Sequence, residues 1–262
     1  MQKDNYNVSN TENTVFDVFE GMISVRSVFE GIDTGVNKRK INKVLFSETH
    51  IKGNGKLLGF LKARSFVYGY ELQTVHDSDI SNYAEGSSHG GVIMLCEKRI
   101  YNEMFSSPKA DGFYVLMEGI EDPYNLGYAI RSAYAAGADG ILLPKRSPIV
   151  SAGIVARSSA GASEMAEIVL YSDYSCISDL KALGYRLVCA DMDAPAPAHL
   201  SDLKKPIILA VGGEKRGFSK KLTELSDLTV RLDYGRRFEN ALSAASATAI
   251  LAFEVTKQNP VI

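Results

Sequence analysis

The stretch that most limits the fold is residues 206–218, PIILAVGGEKRGF. Residues 207–211 form an unbroken apolar run, which suits a strand buried on both faces and therefore a parallel sheet covered by helices. The run stops at Gly212, Gly213 and Glu214, and Gly217 follows. Ser219 then stands where a helix N-cap belongs, ahead of residues 220–225. A strand, a tight glycine turn and a helix make a cradle, because glycine lets backbone approach a small molecule closely. Taken alone, the stretch also fits an ordinary strand-to-helix loop.

The neighbouring sequence supports the parallel sheet. Residues 113–117 read as a strand, 128–136 as an amphipathic helix ended by Gly137, and 140–143 as the next strand. Such a βαβ step implies a right-handed crossover. Residues 150–162 and 178–183 read as helices, 185–190 and 228–232 as strands, and 194–198 (APAPA) as a stiff loop. The Ala-rich 240–256 reads as a long helix whose small residues allow close packing against the sheet or a second subunit. Upstream, helices are expected over 15–30, 56–63 and 77–83, the last capped by Asp77 or Ser78. Strands are expected over 43–46, 70–75 and 92–95, with a loop at 86–91. The expected organisation is a frayed tail (1–14), a small α/β domain (15–97), a polar linker (98–111) and a larger α/β domain (112–262).

Composition removes several classes of function. With 45% hydrophobic residues and a net charge of -2, the chain buries a core and is not basic throughout. Charge is uneven, however: residues 37–64 hold Lys38, Arg39, Lys40, Lys43, Lys52, Lys56, Lys62 and Arg64 against Glu48 alone, a formal +7. A local basic patch of this kind is the electrostatic footprint of phosphate binding, although a solvated face is its commoner origin. Cys96, Cys176 and Cys189 are far apart and read as reduced thiols of a cytoplasmic protein. No apolar run reaches membrane-spanning length, and the N-terminus has no apolar core of a secretory signal. There is no G-x-G-x-x-G after the first strand of the second domain, no P-loop and no H-E-x-x-H. The four histidines (50, 76, 89 and 199) are scattered, so no metal site is expected.

Two loops at strand ends remain as candidates for chemistry. One is DPYNLG at 122–127, where Asn125 sits near a helix start and Arg131 lies one to two turns inside the helix. The other is the 212–217 cradle. Ligands of open α/β sheets bind beyond the carboxyl ends of the strands, where both loops fall.

These residues carry a resemblance. EDPYNLGYAIRSAYAAGADGILLP, VGGEKRGFSKKLTELSDLTVRLDYG and ALSAASATAILAFE resemble, in order, the three motifs of the SpoU (TrmH-type) RNA ribose 2′-O-methyltransferases of the SPOUT class. MISVRSVFEGI, the basic segment and SSHGG resemble the small substrate-binding domain that precedes the catalytic domain in many members. The resemblance spans about residues 22–257. It implies an α/β fold: a SPOUT-type parallel sheet with a C-terminal trefoil knot, preceded by a small α/β substrate-binding domain. The implied cofactor is S-adenosyl-L-methionine, lined by Gly212, Gly213, Gly217, Leu232 and Leu242. The implied partners are RNA (ribosomal or transfer RNA) and a second copy of the chain, with the last helix at or near the dimer interface, and neither metal nor membrane. Arg131 matches the family's catalytic arginine; Asn125 would orient the loop or the ribose, and Glu214 would brace Arg131 or the cradle. Ser243, Arg39, Lys40 and Lys43 are the expected RNA contacts. The family's third motif commonly reads S-L-N-x-S, whereas this chain has Ala241, Leu242, Ser243, Ala244 and Ala245. That departure motivates an alternative: a non-catalytic or weakly active RNA-binding protein on the same fold. A base methyltransferase on the same scaffold is a third reading.

Overall fold

The computed structural model describes residues 16–51, 53–84, 89–214 and 217–260. The chain divides into two compact units, residues 1–100 with 151–165, and residues 101–150 with 166–262.

The first unit opens with β1 (Phe16–Glu20) and α1 (Gly21–Asp33), where a single helix over 15–30 is expected from sequence. Phe19 packs into one core cluster while Phe16 and Val18 pack against another, so the apolar residues alternate between faces as a strand requires. Gly21, at φ 75°, turns the chain from strand into helix. Then follow β2 (Ile41–Ser47), α2 (Gly55–Tyr68), β3 (Glu71–Val75), α3 (Asp77–Tyr83) and β4 (Val92–Glu97). The N-cap of α3 is His76, not Asp77 or Ser78, and its side chain makes no capping bond. The sheet order is β1-β4-β2-β3, with β2 and β3 parallel and the other pairs antiparallel. Residues 86–88 of the expected 86–91 loop lie outside the described residues, as does the whole 1–14 tail, while residues 89–91 form a bend and turn ahead of β4.

The second unit carries β5 (Phe113–Glu118), α4 (Pro123–Ala135) and β6 (Gly140–Pro144). Residues 150–162 are expected from sequence to be one helix of the larger domain; instead residues 151–165 belong to the first unit and form α5 (Ala152–Ser158) and α6 (Ala162–Met165). Ala160 (φ 51°) and Gly161 separate these two short helices. The second unit continues with β7 (Ile168–Tyr171), which sequence reading passed over, and α7 (Ser175–Ala182). After them come β8 (Arg186–Ala190), the two-residue β9 (Ala196–Pro197), β10 (Ile207–Gly212), α8 (Lys220–Leu225), β11 (Leu228–Arg231) and α9 (Ala244–Gln258). All seven strands are parallel, in the order β7-β6-β5-β10-β8-β11-β9. The expected linker is not one throughout: Phe105 is buried with its ring 4.4 Å from that of Tyr114, and Leu170 donates to the Asn102 carbonyl at 2.9 Å.

The central strands are buried on both faces. Tyr114, Leu116, Ile208 and Ala210 belong to one core cluster, and the intervening Val115 and Leu209 are equally inaccessible. Helix α9 lies against β10 and α4. The sheet order reverses between β5 and β10, and a reversal of this kind leaves a crevice at the carboxyl ends of the strands.

Candidate active site

At that end of the sheet a cavity of about 680 Å³ is enclosed by the segments that follow β8, β10 and β11, together with the start of α9. Gly212, Gly213, Gly217, Leu232 and Leu242 all line it, although they are spread over thirty-one residues of sequence. Its apolar wall is completed by Val211, Phe218 and Leu251, and its polar rim carries Asp191, Asp193, Asp233 and Arg236.

The glycines owe their places to different causes. A Cβ on Gly213 would sit 1.9 Å from the carbonyl oxygen of Gly119, so only hydrogen lets β10 turn here against the β5 loop. Backbone bonds from Gly213 N to Glu118 O (2.7 Å) and from Gly217 N to Gly213 O (2.9 Å) close the turn. Gly217 has φ 57°, a left-handed conformation that glycine adopts without strain. Gly213→Ala should therefore cost about 1–3 kcal/mol in denaturant unfolding, as overpacking against rigid backbone does. Gly235→Ala, where a Cβ meets nothing within 4 Å, should stay within about 0.5 kcal/mol of the parent.

Asn125 joins three pieces of this architecture. Its backbone N–H donates to Asp122, the N-cap of α4, at 2.8 Å. Its side-chain Nδ2 donates to Glu214 Oε1 at 3.2 Å, and its Oδ1 accepts from the backbone N–H of Ala245 at 3.2 Å. Glu214 thus braces the cradle through Asn125. Ser243 is the N-cap of α9, accepting from Ser246 N at 3.1 Å, so its hydroxyl is engaged within the motif. Glu118, at the end of β5, accepts from Tyr174 Oη at 2.5 Å and from Ser219 N at 3.1 Å, which holds the start of α8. Burial, with the Glu118 hydrogen bond adding to it, pushes the Tyr174 phenol up to about 12, so it stays a donor.

Arg131 does not line the cavity. It is exposed on α4, on the stripe that also shows Tyr124, Tyr128 and Tyr134, and makes no hydrogen bond or ion pair with the described residues. Arg39 departs most from expectation. Its side chain is 0% exposed; Nε and Nη2 grip Glu164 at 2.7 and 3.0 Å, and Nη1 reaches Asp17 at 2.6 Å. It therefore pins α6 to β1 inside the first unit and cannot contact RNA. Lys40 is exposed and pairs with Glu97 at 3.0 Å, while Lys43 is half-buried on β2.

Sequence reading missed Asp191, Met192, Asp193 and the Tyr234–Phe238 side of the cavity. The available signal was position: residues 191–193 directly follow a strand of the parallel sheet. Among the described residues no cluster of three or more His, Cys, Asp or Glu could hold a metal, and no helix is long and apolar enough to cross a membrane.

The SpoU rRNA Methylase family model matches residues 112–253, more than half of the chain. The chain belongs to the SpoU rRNA methylase family. A Bacillus subtilis protein, YacO, assigned to the TrmH family of tRNA/rRNA methyltransferases, is 28% identical over 238 residues, covering 88% of this chain and 94% of that protein. The 23S rRNA (guanosine-2′-O-)-methyltransferase RlmB of Shewanella oneidensis is 26% identical over 200 residues, covering 73% of this chain and 80% of its own. In fold, this SpoU chain is similar to an AdoMet-bound rRNA methyltransferase of Sinorhizobium meliloti, with a TM-score of 0.81 and 22% identity over 100% of this chain and 98% of that one.

Proposed function

We propose that this chain transfers methyl from S-adenosyl-L-methionine to a ribose 2′-hydroxyl of structured RNA, ribosomal or transfer RNA, in the cytoplasm. The observation that carries the reading is convergence: positions from two separate motifs, Gly212 with Gly213 and Gly217, then Leu242, meet with Leu232 at one cavity. The cavity suits the cofactor chemically. Leu232, Leu242 and Leu251 offer an apolar bed for adenine, and the bare backbone of Gly212 and Gly213 leaves room beside it. Asp191, Asp193 and Asp233 offer acceptors for ribose hydroxyls and an ammonium group. When bound, S-adenosyl-L-methionine supplies a methyl already activated on a sulfonium.

The chain's own work is then positioning and charge stabilisation. A guanidinium is a poor base and a good anchor for phosphate or a developing alkoxide, and that is the role of Arg131 in this reading. Asn125 and Glu214 act as positioning residues that hold the cradle to α4 and α9. A homodimer through α4 and α9 belongs to this reading. Tyr124, Tyr128 and Tyr134 on the first helix and Ile250 and Phe253 on the second are exposed, and an interface over them would put Arg131 at the subunit boundary. A trefoil knot also belongs to it, in keeping with a sheet in which β10 lies between β5 and β8 and β11 on the far side of β8.

The test is transfer of labelled methyl to unmodified RNA. Label recovered as 2′-O-methylnucleoside is the expected result. Label on a base would move the chain to base methylation. Intact cofactor binding with no label in any RNA pool would favour the non-catalytic reading, for which Ser243 and Ala245 are the motive.

A further inference from the structure

With Arg39 buried, the first unit needs another surface if it is to hold RNA. We infer that the exposed face of α2, with Arg26 of α1, is that surface: Arg26 and Lys56 take phosphate oxygens in a groove, and Phe66 stacks an unpaired base. The inference rests on the RNA reading above.

The groove, about 820 Å³, lies between α1 and the start of α2 and is lined by Arg26, Asn54, Lys56 and Phe60 among others. No acidic residue lines it among the described residues. The guanidinium of Arg26 lies 5.5 Å from the Phe60 ring centroid, which holds the cation at the groove without neutralising it. The nearby Asp33 carboxylate is already taken by Arg64, at 3.0 Å, and by Tyr68. Arg26, Lys56 and Lys62 form no ion pair with described residues. Helix α2 itself, GKLLGFLKARSFVY, contains three cations and no acid.

Farther along the exposed side of α2, Phe66 is 90% exposed, one turn beyond Lys62. An aromatic ring left in water one turn from the unpaired Lys62, on a helix whose start lines a cationic groove, is the combination that binds single-stranded or loop RNA: charge tracks the backbone and the ring accepts a base. The polyanion is favoured over a protein partner because α2 carries cations and no carboxylate, and none lines the groove among the described residues.

The experiment is binding of an unmodified 23S ribosomal RNA transcript, with a transfer RNA transcript beside it, between 50 and 200 mM salt. Parent protein is compared with the Arg26→Gln/Lys56→Gln double variant and with Phe66→Ala. Loss of two phosphate contacts should lower the slope of log affinity against log salt by about 1.5. Phe66→Ala should weaken binding at least about fivefold with the slope unchanged. Both variants should keep parental affinity for S-adenosyl-L-methionine, since the changed residues lie in the other unit, and parental unfolding in denaturant shows that the first unit is folded. A double variant with parental slope and affinity overturns the groove assignment, and Phe66→Ala at parental affinity overturns the stacking. If Phe66→Ala instead changes the sedimentation of the free protein, the face is a contact between copies and the inference fails. Failure of the parent protein to bind either RNA overturns the functional reading itself, so the two failures are distinct.

Discussion

Arg131→Ala should lower methyl transfer to RNA by two to three orders of magnitude, about 2.7–4 kcal/mol of transition-state stabilisation, while leaving affinity for S-adenosyl-L-methionine intact. Arg131 is exposed, lies outside the cavity wall and has no partner among the described residues, so its removal disturbs no folded contact. A structural role would appear as lost stability, and a cofactor role as lost affinity; neither is expected. Arg131→Lys should recover only part of the rate, because an ammonium keeps the charge and loses the two-pronged donor geometry. Single-turnover transfer with calorimetric titration of the cofactor separates these cases. A loss of less than tenfold would remove Arg131 from the reaction.

Glu164→Ala should destabilise the first unit by about 3–5 kcal/mol, because it strands a buried cation. Glu164 is 1% exposed and supplies both carboxylate oxygens to Arg39, whose guanidinium also lies 4.8 Å from the Phe19 ring centroid. Asn37 Nδ2 adds a 2.8 Å bond to the Glu164 carbonyl, so the residue ties α6 down by side chain and backbone. Replacing both charges, Arg39→Met with Glu164→Leu, should cost less than the sum of the single changes, since no unpaired charge remains. Denaturant unfolding followed by a probe in the first unit measures both. If Arg39→Ala left stability unchanged and lost only RNA affinity, the buried-pin account would be wrong.

The two residues show where sequence stops being informative. Arg39 and Lys40 are adjacent cations in one basic run, and nothing local distinguishes them. One side chain points inward to Asp17 and Glu164, the other outward to Glu97, because successive residues of an extended chain face opposite ways. Glu164 lies 125 positions away, so the pairing exists only once α6 has docked on the first unit. The cradle is the opposite case. Its strand, its glycine turn and the Ser219 cap follow from local chemistry, and the structure has Ser219 accepting from Leu222 N at 3.3 Å. The strand β1 was hidden because FDVFE suits either period over five residues, and only pairing with β4 makes the choice.

What the sequence determined by itself, therefore, was what short-range physics specifies: buried strands as apolar runs, turns at glycines, caps at serines, and three motifs in order. The tertiary structure alone decided which distant residues share a space. Asn125 came to bridge Glu214 and Ala245, 89 and 120 positions away, and residues 191–193 came to wall the cavity. It also decided that Arg39 is buried while Arg26 and Lys56 stay in water. The reason is that a cation's role depends on whether a carboxylate reaches it out of solvent, and that depends on how the whole chain packs.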